Sequence, residues 1–298
     1  SGERVAVDEG KQDPLDFVLW KAAKAGEPED AQWQPAETGY ARGRPGWHLE
    51  CSAIALNTLG ETLDIHTGGI DHIPVHHTDE IAQSECHTGK KFANYWLHCN
   101  HMTSEGRKIS KSLENGFTLE DLAEKGFSPL DFKMLVLQSQ YQTSGDFTFE
   151  NLQAAQNRLK NWRNIAALRH QISRQKGEGI PSLAGKNAIL EAINENLDTP
   201  KALAQTDEIF LEISKTPAEK LSKSNLVELL EFLDELLGLD LLASTPDISE
   251  VSKQKILQRR IAREQKDWAT SDQIRDELLA EGIVLRDTPS KTIWEFEK

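Results

Sequence analysis

The chain has 298 residues, a formal net charge of −14 at pH 7, 38% apolar and 28% charged residues. That acidic balance excludes indiscriminate nucleic-acid binding but leaves room for a local basic track, and no run approaches the ~18 apolar residues of a membrane span. Three cysteines without scaffold spacing exclude a disulfide-built secreted domain and point to a reducing cytoplasm, while the length admits two or three domains.

Residues 1–40 read as an irregular lead-in, with a turn at Asp13-Pro14 and a short apolar run, Phe17-Val18-Leu19-Trp20. A tight connection, Gly43-Arg44-Pro45-Gly46, opens a helix predicted over 47–59 that stops at Gly60. A short strand follows at 63–66 and ends in Thr67-Gly68-Gly69; a helix is predicted over 76–86 and a strand over 95–100. Helix, strand, glycine turn, helix, strand is the rhythm of a parallel α/β sheet, in which ligands lie at the carboxyl ends of strands.

The lysine segment comes next. Gly106-Arg107 precedes Lys108-Ile109-Ser110-Lys111-Ser112, so 106–112 hold three cations and no anion in a strongly acidic chain. Ammonium groups, hydroxyls and flanking glycines suit a mobile loop that closes over a polyphosphate. Beyond residue 117 the chain turns helical. Thr118 with Asp121, and Ser128-Pro129 with Asp131, fit capping boxes. Leu152, Ala155, Leu159, Trp162, Ile165, Leu168 and Ile172 recur at helical spacing, which predicts one amphipathic helix from 148 past 172. Further helices are predicted over 186–196, 201–215 and 224–239. A polar linker follows over 243–252, then helices over 253–264 and 269–280 and two short strands, 283–285 and 292–294.

Between the loops lies a set of metal-ligating residue types. Cys51 sits in Gly46-Trp47-His48-Leu49-Glu50-Cys51, and His76 and Glu80 are four residues apart on a predicted helix, sharing one face. Two ligands one turn apart and a thiolate from elsewhere make a candidate zinc site. Taken singly, Cys51 reads as a small buried hydrophobe, His77 and His98 as core or hydrogen-bonded histidines, and Glu80 as a solvated helix face.

Taken together, these motifs resemble one family. Gly46 to Cys51, Gly68-Gly69-Ile70-Asp71, His76-His77-Thr78-Asp79-Glu80-Ile81-Ala82-Gln83-Ser84-Glu85 and the Lys108 to Ser112 run are similar to the cysteinyl-tRNA synthetases, class I aminoacyl-tRNA synthetases. Asp13 to Lys21, Lys266-Asp267-Trp268-Ala269 and Gly282-Ile283-Val284-Leu285 extend the resemblance over essentially the whole chain. Val75 and Ile109 stand where the family commonly has Pro and Met. An early cysteine, the fourth zinc ligand, and the His-Xaa-Gly-His signature have no counterpart. The resemblance therefore implies a carboxyl-terminal part of a synthetase, an incomplete enzyme by itself.

The implied fold is α/β, then mainly α. It comprises the second half of a Rossmann-like catalytic domain with the zinc site (1–105), a signature-loop and stem-contact region (106–150), a helical tRNA-binding bundle (151–245) and a small α/β anticodon-recognition module (246–298). The implied activity is ATP-dependent ligation of L-cysteine to tRNA(Cys) through cysteinyl-adenylate, by a cytoplasmic monomer. One Zn2+ on Cys51, His76 and Glu80 would select the substrate thiolate, and Trp47 would wall its pocket. Gly68, Gly69 and Asp71 would hold the ribose of ATP, bound with Mg2+. Lys111, supported by Lys108, would clamp the phosphates, and Arg263, Trp268, Asp272 and Asp287 would read the tRNA. The alternatives are a non-catalytic zinc- and tRNA-binding piece and a ligase joining cysteine to a small amine.

Overall fold

The structure, a computed structural model, describes residues 11–13, 15–35, 39–110, 113, 115–172, 179–288 and 292–297. Two compact units divide the chain, Ser1–His101 and Met102–Lys298.

In the first unit, β1 (Trp20–Ala22) pairs antiparallel with β2 (Gly43–Pro45). Helix α1 (Trp47–Leu59) ends at Gly60, whose φ of 95° few other residues adopt. Strand β3 (Leu63–Gly69) leads through a 3-10 turn, Ile70–His72, and a π-helical turn, Ile73–His77, into α2 (Thr78–Thr88). Strand β4 (Ala93–Cys99) then returns parallel to β3, with His66 opposite Trp96 and Gly68 opposite His98. A parallel pair needs a helical crossover, and this is the strand–helix–strand unit the sequence rhythm predicts. Ala55 and Leu56 of α1, Ile81 of α2, Leu63, Phe92, Ala93 and Trp96 form its core.

One regular helix over 76–86 is not what forms. Pro74 has no N–H to donate, and the Thr78 hydroxyl donates to the Ile73 carbonyl at 2.7 Å. The chain widens into a π turn there and becomes α-helical only from Thr78.

In the second unit, β5 (Met102–Ser104) and β6 (Arg107–Lys108) form a hairpin. Its two-residue turn, Glu105-Gly106, has φ of 52° and 70°, the paired positive angles that match the twist of two strands. The reading of 106–112 as one mobile loop is thus corrected at its start, because Arg107 and Lys108 pair with Ser104 and Thr103. Lys111 and Ser112 lie outside the described residues.

Helices α3 (Leu119–Glu124) and α4 (Pro129–Leu137) both open on the expected capping boxes, in which cap hydroxyl and acidic side chain each satisfy an orphan backbone N–H. A third short strand, β7 (Gly145–Phe147), lies parallel to β5. Helix α5 (Phe149–Ala167) runs on into a 3-10 turn at Leu168–His170. Its predicted stripe is the spine of the main core. Leu152, Ala155, Leu159 and Trp162 are buried against Leu203 and Phe210 of α7 (Thr199–Lys215) and Leu226, Leu229, Leu230 and Leu233 of α8 (Lys223–Leu237), with Ile189 of α6 (Gly185–Asn194). Asp207 fixes the register of α5 on α7 by accepting from Trp162 Nε1 and Arg158, each at 2.6 Å.

The stretch 243–252 is not a free polar linker. Thr245, Ile248 and Ser252 are buried. Buried Arg169 donates to the Thr245 hydroxyl and carbonyl and to the Leu242 carbonyl, so polar groups there are satisfied by packing rather than by water. Helices α9 (Glu250–Glu264) and α10 (Trp268–Ala280) and the hairpin β8 (Ile283–Asp287) and β9 (Thr292–Phe296) close the unit. Ile248, Ile274, Leu278, Ile283 and Trp294 form their core, together with Ala167 at the end of α5. Among the described residues, no helix is long and apolar enough to cross a membrane.

Candidate metal centre

Cys51 lies one turn into α1, His76 at the end of the π turn and Glu80 in the first turn of α2. Their ligand atoms lie within 4.8 Å of one another. Glu80 is 1% exposed, so it is no solvated helix face. A carboxylate withdrawn from water needs cationic or hydrogen-bonding partners. Here His66 Nε2 lies 2.8 Å from Oε2 and His76 Nε2 lies 3.4 Å from Oε1.

The neighbours orient this set. His48 Nδ1 and His76 Nδ1 share a hydrogen bond of 2.7 Å, which leaves His76 Nε2 directed toward Glu80. Asp79, buried in the same turn, lies 3.4 Å from His48 Nε2. The His48 hydrogen bond is what orients the His76 ring; Asp79 lies at ion-pair distance behind it without a hydrogen bond to Oδ2. His77 bonds His98 at 2.8 Å and packs at a tilt against the rings of His66 and Trp96. His66, His77 and Glu80 also have ligand atoms within 4.8 Å of one another. Glu80 already engages His66 Nε2 and His98 already engages His77 Nδ1, so the set containing Cys51 is the more available one.

Electrostatics follow from this crowding. Burial pushes the Cys51 thiol up, reinforced by the carboxylates of Glu80 and Glu50. Burial lowers His76, against the pull of Glu80, and holds His77 down at about 4, helped by His66 and His98. Burial also lowers His98 and raises Asp79. A thiol and a carboxylate thus lie side by side with neutral imidazoles, an arrangement that a divalent cation would invert in favour of the thiolate. One sulfur, one imidazole nitrogen and one carboxylate oxygen are donors zinc accepts, and three protein ligands leave a fourth position open.

Trp47, the first residue of α1, is 67% exposed, with its ring centroid 5.7 Å from that of His76 in an edge-on contact. Gly68 and Gly69 end β3, and Asp71 lies 3.2 Å from His101. Lys108 is exposed on β6 in the second unit. The histidines around Glu80 escape single-residue reading, yet composition carries a signal: all but one of the nine histidines lie between residues 48 and 101.

At the other end of the chain, Arg263 lies over the Trp268 ring at 5.9 Å, and Trp268 is 56% exposed. Asp272 pairs with Arg275 on α10. Asp287 accepts from both guanidinium nitrogens of Arg259, at 3.0 and 3.1 Å, and from Thr292 at 2.6 Å, and pairs with Arg263 at 3.2 Å. Arg259 above all holds the Asp287 carboxyl down at about 2. Because the folded state binds this proton less readily than the unfolded chain, the pair's contribution is complete above the ordinary carboxylate range and disappears as pH falls through it toward 2. The stability difference between wild type and Asp287→Asn in denaturant titrations is therefore expected to shrink by roughly 1 kcal/mol between pH 6 and pH 3, a figure reduced for solvent screening.

Comparison with known proteins agrees with this architecture. The profile of the class I (C) tRNA synthetase catalytic domain matches residues 1–157, and that of the cysteinyl-tRNA ligase anticodon binding domain matches residues 245–294. The cysteine–tRNA ligase of Polaromonas naphthalenivorans is 40% identical over 306 residues, which cover 100% of this chain and 64% of that protein. That of Protochlamydia amoebophila is 36% identical over 301 residues, 98% of this chain and 62% of the relative. The chain thus spans just under two thirds of the length of these relatives. A crystal structure of an Agrobacterium radiobacter LeuRS in a ternary complex with tRNA and LeuAMS shares the fold, with a TM-score of 0.53, 14% identity and coverage of 77% of this chain and 37% of that one. With a catalytic-domain profile matched over more than half its length, the chain belongs to the cysteinyl-tRNA synthetase family of class I (C) tRNA synthetases.

Proposed function

We propose that the chain carries the amino-acid pocket and the tRNA-reading end of an enzyme that ligates L-cysteine to tRNA(Cys) with ATP, through cysteinyl-adenylate. The observation that carries this reading is the convergence of Cys51, His76 and Glu80 on one point, backed by hydrogen-bonded imidazoles and carboxylates. One zinc, held by these three residues, would supply a Lewis acid that favours a substrate thiolate over the neutral hydroxyl of serine. An apolar pocket alone separates such near-isosteres by only about 10–200-fold. Trp47 covers the donor set from the exposed side, and Asp71 offers a carboxylate to the ribose of ATP, bound with Mg2+. Lys111 and Lys108 clamp the phosphates while the cysteine carboxylate attacks the α-phosphorus and pyrophosphate leaves. Stabilising that charge is mostly a matter of fixed donors. Arg263, Trp268, Asp272 and Asp287 lie within the segment that matches the anticodon-binding profile, which weighs against a ligase acting on a small amine. The protein works as a cytoplasmic monomer.

The test is binding rather than turnover. The purified chain is expected to hold one zinc, and calorimetry is expected to show cysteine binding to the zinc-loaded chain with serine silent at the same concentration. Equal heats from serine and cysteine, or a chain that takes up no zinc, would end the proposal.

A further inference from the structure

The line of side chains from the interior of the last module to its surface has an unassigned inner member, Arg259. It is 4% exposed and donates through both terminal nitrogens to Asp287. An ionised carboxylate has about four acceptor positions. At Asp287 three of them go to the two terminal nitrogens of Arg259 and the Thr292 hydroxyl, and Arg263 forms an ion pair at 3.2 Å. Both carboxylate oxygens are therefore already engaged from within the module. Arg263 is different: one of its nitrogens pairs with Asp287 at 3.2 Å, and its guanidinium carbon lies over the exposed Trp268 ring, 5.9 Å from the centroid. A guanidinium and an indole fixed together at the surface form a platform for an unstacked base.

We propose that Arg259 is a positioning residue for RNA recognition, and that Asp287 is its relay rather than a reading group. The bidentate pair locks Asp287, and Asp287 holds Arg263 on Trp268. Arg259 and Arg263 are one helical turn apart on α9, while Asp287 ends β8 and Thr292 opens β9, so the relay also ties the helix to the strand pair. The inference rests on the tRNA reading of this module and concerns which of its residues touch the RNA. Lysine at 259 keeps the charge but cannot reproduce the fork.

The experiment is fluorescence anisotropy of the full chain with a labelled anticodon stem-loop of tRNA(Cys) and with loops altered at single anticodon bases. Arg259→Lys and Arg263→Ala are each expected to weaken cognate binding by about tenfold and to narrow the cognate-to-altered ratio, and the double variant to be no weaker than Arg263→Ala alone, because the two act in series. Multiplying effects in the double variant, or an unchanged ratio in Arg259→Lys, would overturn the proposal. Asp287→Asn is the parallel test should Arg259→Lys not fold. It is expected to repeat the pattern, and full retention of affinity by it would equally overturn the relay. A wild-type chain that does not distinguish the loops would instead remove the tRNA reading beneath it.

Discussion

Glu80→Gln is expected to lower zinc affinity at least about 100-fold, measured by competition with a chromogenic chelator. The size follows from what Glu80 does twice. One carboxylate oxygen joins the set formed with Cys51 and His76, while the other lies 2.8 Å from His66. Losing a partner of a ligand costs about 10–100-fold, and losing the ligand itself costs no less. The amide also presents an N–H where a cation would sit. Thermal unfolding gives a second reading. Zinc that binds only the folded chain stabilises it by about 4 kcal/mol at a thousand times its Kd, and the variant is expected to lose that zinc-dependent increment while unfolding normally without metal. Cys51→Ser is expected to behave alike, because serine is a poor neutral ligand. A variant that keeps its zinc-dependent stabilisation would show that the metal sits elsewhere, the His66–His77 side being the alternative.

The contrast between what was legible and what was not follows the range of the interactions involved. Four-residue spacing placed His76 and Glu80 on one face, and glycine, proline and capping residues marked most helix ends, because these signals are local. The π turn at 73–77 was missed. It depends on the Thr78 hydroxyl taking over the Ile73 carbonyl, a choice that helical periodicity does not encode. The imidazoles behind the donor set were legible only as an excess of histidine. His66 and His98 reach Glu80 and His77 because β3 and β4 run parallel in a particular register, and register is a tertiary fact. Strands β5 and β7 are three residues each, too short to show alternation. The stretch 243–252 has a linker's composition, yet buried Arg169 satisfies the Thr245 hydroxyl and carbonyl within it. The ion-paired state of Asp287 left no local signal, because its partners, Arg259, Arg263 and Thr292, come from a distant helix and another strand.

The two glycines at the end of β3 meet different neighbours, and alanine at each is expected to fail differently. Neither substitution is opposed by a positive φ; what matters is space. A Cβ on Gly68 would stand 2.6 Å from His77 Cε1 and 2.9 Å from His72 Nδ1. His77 is 4% exposed and wedged between His66, Trp96 and His98, so it has nowhere to go. Overpacking of this kind costs about 1–3 kcal/mol, and the strain falls on the π turn that carries His76. A Cβ on Gly69 would press instead on Asp71 Oδ1, an exposed side chain that can swing aside. Its surface pairing with His101 is worth under about 1 kcal/mol. Gly68→Ala is therefore expected to lower both the unfolding temperature and the zinc affinity. Gly69→Ala is expected to leave both near wild type and, in an enzyme assembled for pyrophosphate exchange, to raise the KM for ATP by displacing Asp71. Equal stability and equal zinc affinity in the two variants would mean that the glycines serve the nucleotide alone, and that the packed imidazoles behind the donor set do not constrain it.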